Sequence, residues 1–189
     1  MTVDLPDVHD RALEATSQVV AGIKPTQLDA DSPCEGMSLR ELLGHVVAGN
    51  LWVGELMAGR TIDQVGDALD GDVLGDDPAA AYDGSARIAN EAFRAAGAME
   101  KPVAVSYGPV PGAVYCGHRF FDVLVHGWDL AKGTGQDTAL DPELVAACRE
   151  VIEPQVEAFR AAGALAQPVP VADDADEQTK FLALIGREA

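Results

Sequence analysis

The chain has 189 residues, of which 31 are acidic and 13 basic, so its formal net charge at pH 7 is −18. A surface with that charge repels nucleic-acid phosphates and anionic lipid headgroups, which argues against nucleic-acid and membrane partners. Hydrophobic residues make up 48% of the chain, enough for a sizeable core, and the length predicts one domain over residues 1–189.

The cysteines and the N-terminus predict a cytoplasmic protein. Cys34, Cys116 and Cys148 are odd in number, widely spaced and outside any CxxC pattern, which argues against a disulfide framework. The N-terminal MTVDLPDVHD lacks the apolar core of a signal peptide. No apolar run approaches the roughly 20 residues that a membrane-spanning helix needs.

Two helices are predicted in the first third of the chain. The first covers about residues 7–21, where apolar residues recur at helical spacing. Residues 24–37 contain two prolines and predict a loop. Ser38 and Glu41 then have the form of a capping box, in which each side chain accepts from the other residue's backbone amide. A second helix is therefore predicted to run to about Met57.

The middle of the chain predicts a long connection and two further helices. Residues 60–76 are acidic and rich in glycine, which indicates a loop. Asp77 as a cap, followed by Pro78 in the first turn, predicts a third helix that runs to about residue 96. After another loop, a fourth helix is predicted over about residues 115–132.

The last third predicts shorter helices. A fifth helix starts at Asp141 and is interrupted near Pro154, and a sixth covers about residues 176–185. Residues 103–107 and 169–171 are candidates for extended chain, but neither is a convincing strand. The pattern therefore predicts an all-α bundle.

The fourth predicted helix contains the strongest anomaly in the sequence. His118, Asp122 and His126 are spaced i, i+4, i+8, so they share one face of the helix, among apolar neighbours. A carboxylate in such surroundings is costly unless it is paired or coordinated. Residues i and i+8 lie about 12 Å apart along the axis, against about 6 Å for i and i+4. One ion could therefore bind His118 with Asp122, or Asp122 with His126.

A third ligand would have to come from a facing helix, and His45 is the candidate because it lies in the middle of an apolar helical stretch. Simpler interpretations stay open for each residue. His45 could be a core histidine bonded to a carbonyl, Asp122 and His126 an ion pair, and His118 a surface residue. His9, flanked by two acidic residues, is predicted to be solvated.

Two stretches around these residues resemble a known family. PCEGMSLRELLGHVVAGN at residues 33–50 and VHGWDLA at residues 125–131 are similar to actinobacterial metal-binding proteins of the DinB-like superfamily. Within it they are similar to the metal-binding domain of mycothiol-dependent maleylpyruvate isomerases. The segment FLALIGR at residues 181–187 of this chain also resembles the tail of that group. The resemblance implies a DinB-like four-helix bundle with long connecting loops. Short extra helices are predicted to follow the bundle at the C-terminal end of this chain.

The resemblance also implies a metal held by a histidine of the second helix and by an i, i+4 pair on a later helix. Those positions match His45, Asp122 and His126, so the resemblance selects the second chelate. The isomerase has Glu at the position that matches Asp122, and many relatives have His, so a shorter Asp would bring the ion closer to this helix. The isomerase also has a second, C-terminal domain that contributes to its active site, which a chain of this length is not expected to contain.

Two imidazoles and one carboxylate with open positions are typical of catalytic zinc, and nickel, iron or manganese suit the same donors. A thiol bound to such an ion loses its proton and becomes a nucleophile. This connects the site to the superfamily's thiol S-transferase and isomerase activities. It predicts a low-molecular-weight thiol such as mycothiol as cosubstrate and an electrophile as its partner.

Three other side chains are candidates for the surroundings of the ion. Asp129, three residues beyond His126, could orient that imidazole, or it could be solvated or bonded near Arg119. Trp128 could line a pocket or belong to the core, and His118 is the third candidate.

The sequence leaves three functions open. The first is a metal- and thiol-dependent transferase or isomerase, the second a non-catalytic metal- or small-ligand-binding protein, and the third a helical interaction module with structural histidines. A homodimer is implied by the superfamily alone.

Overall fold

A computed structural model describes residues 3–189 and shows a mostly helical chain. It divides into two compact units, of which one ends at Thr138 and the other begins at Ala139. The prediction of a single domain over the whole chain stays a prediction. Within the described residues, no helix is both long enough and apolar enough to cross a membrane.

The described part of the first unit contains four long helices in the predicted order and one short helix within residues 60–76, which were predicted to be a loop. The helices are α1 Leu5–Ala21, α2 Leu39–Met57, the short α3 Ile62–Val65, α4 Pro78–Arg94 and α5 Gly112–Thr134.

Local capping explains where these helices begin. Ser38 and Glu41 form the predicted capping box at the start of α2. Asp77 caps α4, where its side chain accepts from the amide of Ala80 at 3.0 Å. The helix α5 starts three residues before the prediction, at Gly112, because the chain enters it directly from a strand.

The long helices pack pairwise, α1 against α4 and α5, and α2 against α4 and α5. A glycine permits the close approach of α5 to α1. A Cβ atom at Gly127 of α5 would lie 2.3 Å from Oγ1 of Thr16 in α1, a hydroxyl that donates to the Val123 carbonyl at 3.2 Å. The helix α5 therefore lies too close to α1 for any larger residue at position 127.

A two-stranded antiparallel hairpin precedes α5 and departs from the all-α prediction. Strand β1 is Pro102–Val105 and strand β2 is Gly108–Pro111, with Val103 opposite Val110. The prolines of β2 are compatible with this sheet because both of its strands are edges. Of the two candidate stretches for extended chain, residues 103–107 overlap strand β1 and residues 169–171 form no strand.

The second unit consists of short helices. They are α6 Pro142–Ile152, α7 Val156–Ala161 and α8 Glu177–Leu184, and α6 packs against α8. A 3-10 turn at Glu153–Gln155 separates α6 from α7, so the predicted interruption at Pro154 is confirmed.

The prediction for His9 is wrong, since its side chain is fully buried. His9 lies in α1 on the helix face that packs into the core, and the buried residues of that face recur at helical spacing. They are His9, Ala12, Leu13, Thr16 and Val20. The acidic neighbours in sequence lie on other faces of the helix, so they gave a misleading signal.

Candidate metal centre

The helix α5 presents Asp122 and His126 one turn apart on the same face. The Nε2 atom of His126 lies 3.5 Å from Oδ1 of Asp122. Both side chains are partly buried, with exposed fractions of 16% for His126 and 23% for Asp122. Their i, i+4 spacing gives this proximity without any distortion of the helix.

The helix α2 brings His45 to the same carboxylate oxygen. Its Nε2 atom lies 3.3 Å from Oδ1 of Asp122, and its ring stands nearly perpendicular to that of His126, with centroids 5.1 Å apart. One donor atom from each of the three residues lies within 4.8 Å of the others. We call these residues the His–Asp–His cluster. His45 is its most exposed member, at 47%.

A buried arginine holds the other oxygen of Asp122. Arg119, only 8% exposed, donates from Nη1 to Oδ2 of Asp122 at 2.8 Å. Its Nη2 donates to Oδ1 of Asn50 at 3.2 Å and to the Val46 carbonyl at 3.4 Å, both in α2. A Cβ at Gly49 would lie 2.3 Å from Nη1, so the guanidinium fits only because residue 49 is glycine.

Opposing effects fix the charges within the cluster. Burial raises the pKa of Asp122, but the charges of Arg119 and His126 and hydrogen bonds from both histidines outweigh it and hold that pKa well below its ordinary value. Burial lowers the pKa of His126, but the Asp122 charge and its hydrogen-bonding neighbours raise it well above its ordinary value. Each shift therefore favours the charged form of its group, carboxylate for Asp122 and imidazolium for His126.

Asp129, for which the sequence left open an orienting role or a solvated position, is fully buried beside His126, so it is not solvated. Its Oδ2 lies 3.0 Å from Nδ1 of His126 and accepts from the Cys34 thiol at 3.2 Å. The His126 ring therefore lies between two carboxylates, Asp122 on the Nε2 side and Asp129 on the Nδ1 side.

This arrangement of carboxylates has a consequence for the proton of His126. A neutral imidazole has one N–H, and donating it from Nδ1 to Asp129 leaves the Nε2 lone pair facing the anionic Oδ1 of Asp122. That contact is repulsive unless a proton or a metal cation lies between the two atoms. In the ion-free protein a proton satisfies this contact, and the same two atoms could hold a metal cation in its place.

The other two predicted residues are not part of the cluster. The Nδ1 atom of His118 lies 2.6 Å from the hydroxyl of Tyr107, which is 59% exposed at the turn of the hairpin. Trp128 is buried, with the Lys132 ammonium 4.8 Å from the centre of its ring.

An open groove of about 550 Å³ borders His45 on the side away from the core. It lies between α2 and the loop at residues 69–74, and Gly44 and Ala48 form part of its floor. Arg40 fixes the loop by donating to Asp72 at 3.0 Å and to the Gly75 carbonyl at 3.2 Å. The groove gives a small molecule access to the exposed imidazole.

Three residues at the site were missed from the sequence as members of a site: Arg119, Asn50 and Cys34. An arginine one turn before Asp122 was a usable signal, because i, i+3 pairs meet on a helix. The proximity of Asn50 and Cys34 depends on how α2 and its preceding loop pack on α5, which local patterns do not encode.

The chain is similar to known proteins over most of its length. Residues 9–131 match the family described as the mycothiol maleylpyruvate isomerase N-terminal domain. An uncharacterized protein of Mycobacterium tuberculosis, found in the strains CDC 1551 / Oshkosh and ATCC 25618 / H37Rv, is 35% identical over 184 residues. The match covers 95% of this chain and 95% of the relative.

Two crystal structures are similar in fold. They are the mycothiol-dependent maleylpyruvate isomerase, with a TM-score of 0.65, and a histidine-to-alanine mutant of it, with a TM-score of 0.67. Each is 16% identical, and each match covers 85% of this chain and 72% of the other chain.

Proposed function

This chain belongs to the family of the mycothiol maleylpyruvate isomerase N-terminal domain, and we propose that it binds one divalent metal ion through His45, Asp122 and His126. We propose further that the ion serves the chemistry of a low-molecular-weight thiol such as mycothiol. The observation that carries the proposal is the convergence of three donor atoms, from two packed helices, within 4.8 Å. The pairwise packing of the four long helices supports the DinB-like four-helix bundle implied by the sequence resemblance.

The chemistry of the donors supports a metal rather than a simple ion pair. Two imidazole nitrogens and one carboxylate oxygen form the three-ligand set of catalytic zinc sites. Asp129 would hold His126 in the tautomer whose Nε2 lone pair is available, as carboxylates do for many metal-binding histidines. Zinc is the ion that we propose first, and nickel, iron and manganese accept the same donors.

When bound, such an ion would supply a Lewis acid that keeps a coordinated thiol deprotonated. The protein's own contribution is positioning. Arg119 retains one oxygen of Asp122, so only the other faces the two histidines. His45 is the residue of the cluster that lines the groove, and we propose that a thiol and its electrophile reach the ion from there.

Metal content tests the site. We expect protein purified without chelators to contain about one equivalent of metal by elemental analysis, and His45→Ala and His126→Ala to lose it. His118→Ala is the matched control, because it removes an imidazole from the same face of α5 outside the cluster. Unchanged metal content in His126→Ala would reject the site, and loss in His118→Ala would assign the ligands differently.

A thiol-transfer assay tests the chemistry. Wild-type protein with mycothiol and a panel of electrophiles should form conjugates or isomers, and His45→Ala should not. The alternative, a non-catalytic metal- or small-ligand-binding protein, would bind metal with no turnover of any electrophile. The open side of the cluster at His45 favours the enzyme, because an external ligand can reach it.

A further inference from the structure

Cys34, His126 and Asp129 form a second group of donor atoms, on the opposite ring nitrogen of His126 from the His–Asp–His cluster. The Cys34 Sγ atom lies 3.7 Å from Nδ1 of His126 and 3.2 Å from Oδ2 of Asp129. The third side of the triangle, Nδ1 to Oδ2, is 3.0 Å. We call these residues the Cys–His–Asp group.

The triangle has the dimensions of one face of a coordination tetrahedron. The point equidistant from its three atoms lies about 1.9 Å from each of them, slightly inside the zinc-to-ligand distances of about 2.0–2.3 Å. An ion at normal bond lengths would therefore lie just outside the plane of the three atoms.

Packing fixes the position of Cys34 in the loop before α2. The Ser32 hydroxyl accepts from the Cys34 amide at 3.2 Å and donates to the Cys34 carbonyl at 3.1 Å. The preceding residue, Pro33, lies against α5 so closely that a Cβ at Gly133 would be 3.2 Å from its ring. The loop thus holds the thiol over α5, and Cys34 as a residue is partly exposed.

We propose that the Cys–His–Asp group is a second metal site, selective for thiophilic cations such as Cd²⁺, which competes with the His–Asp–His cluster for His126. Its sulfur ligand gives it the softer donor set, and soft cations prefer thiolate. As the metal–sulfur bond forms, the Cys34 thiol proton passes to solvent. The proton shared by Nδ1 and Asp129 passes to solvent as well, and the Nδ1 lone pair goes to the ion.

Competition follows from the chemistry of imidazole. A neutral imidazole has one nitrogen lone pair available to a metal. His126 can offer it at Nε2, with Nδ1–H donated to Asp129, or at Nδ1, but it offers both only as an imidazolate. Filling the second site therefore removes His126 from the first.

The experiment is a titration of metal-free protein with cadmium chloride, followed through the ultraviolet charge-transfer band of a cadmium–thiolate bond. The signal reports on Cys34, because Cys116 and Cys148 are fully buried. We expect a band that saturates at one equivalent, is lost in Cys34→Ser and is retained in Cys148→Ala. Asp129→Asn should shift the titration to higher cadmium concentration.

His45→Ala separates this inference from the proposed function, since His45 belongs only to the first site. We expect this variant to lose zinc but keep the cadmium band. Zinc retained when His45→Ala is combined with Cys34→Ser would reject the proposed function, and the cadmium band of His45→Ala tests the second site by itself. A cadmium band lost in His45→Ala, or kept in Cys34→Ser, would overturn the second site.

Alkylation gives a readout that needs no variant. Bound cadmium should protect Cys34 from iodoacetamide, as measured by mass spectrometry of the Cys34 peptide. Equal alkylation with and without saturating cadmium would also overturn the proposal.

Discussion

Buried His9 should make the protein sensitive to acid. The ring of His9 is fully buried and edge-on to Phe93, and neither ring nitrogen has a hydrogen-bond partner among the residues that the structure describes. Burial, together with the charges of Arg119 and Arg94, lowers the pKa of His9 from 6.5 to about 3. The folded protein therefore keeps this imidazole neutral at pH values where the unfolded chain protonates it.

The sign and size of the effect follow from proton linkage. Because the folded-state pKa lies below the unfolded one, the contribution is complete above pH 6.5 and is lost as the pH falls towards 3. Within that window, one such group lowers the free energy of unfolding by about 1.4 kcal/mol per pH unit, up to about 5 kcal/mol in all. Domains have total stabilities of about 5–15 kcal/mol, so acid unfolding should begin well above pH 3.

The assay is urea denaturation of metal-free protein at pH values from 7 to 4, comparing wild type with His9→Leu. Groups such as His126 titrate in both proteins, so the difference between the two curves isolates His9. The leucine variant should be at least as stable at pH 7, because two unsatisfied buried polar atoms are removed, and its stability should fall less steeply in acid. Parallel pH profiles would refute the reasoning.

Three further predictions concern residues that fix the geometry of the first unit. Gly49→Ala should lower the free energy of unfolding by about 1–3 kcal/mol because its Cβ overlaps the fixed guanidinium of Arg119, whereas Gly44→Ala in the same helix should raise it by up to about 1 kcal/mol. If urea denaturation gave the same free energy of unfolding for the two variants, this prediction would be contradicted. Gly127→Ala should cost about 1–3 kcal/mol by the same measurement, because α5 could no longer approach α1, and an unchanged unfolding midpoint would argue against close contact there. Asp129→Asn should weaken zinc binding about 10–100-fold in competition with a chromophoric chelator, and full affinity in that variant would show that the carboxylate does not orient the imidazole.

The helices could be predicted because their signals are local. The capping box at Ser38 and the Asp77–Pro78 start both involve atoms a few residues apart, so the sequence contains the whole interaction. Helical periodicity likewise predicted that Asp122 and His126 share a face. Their approach to His45 depends on the packing of α2 on α5, which the family resemblance implied and spacing alone left open.

The burial of His9 and the position of Cys34 depend on contacts between residues far apart in the sequence, so local patterns did not predict them. The sequence neighbours of His9 are acidic, but its side chain is buried against Phe93 of α4, which lies far away in the sequence. In the sequence, Cys34 is simply a cysteine in a predicted loop. It lies near His126 only because that loop packs against α5. The hairpin was uncertain because its strands have four residues each and prolines interrupt the alternation.

Arg119 connects the two helices that contribute to the His–Asp–His cluster. Its guanidinium binds Asp122 on α5 and, from the same group, Asn50 and the Val46 carbonyl on α2, the helix that carries His45. The spacing between the histidine of one helix and the carboxylate of the other is therefore fixed from the buried side. On the other side the imidazole of His45 is nearly half exposed beside the groove. A metal site whose side chains are fixed on the buried side and exposed on the other can hold its geometry while an external group binds. Catalytic metal sites have such an open position, whereas structural sites are closed by protein ligands.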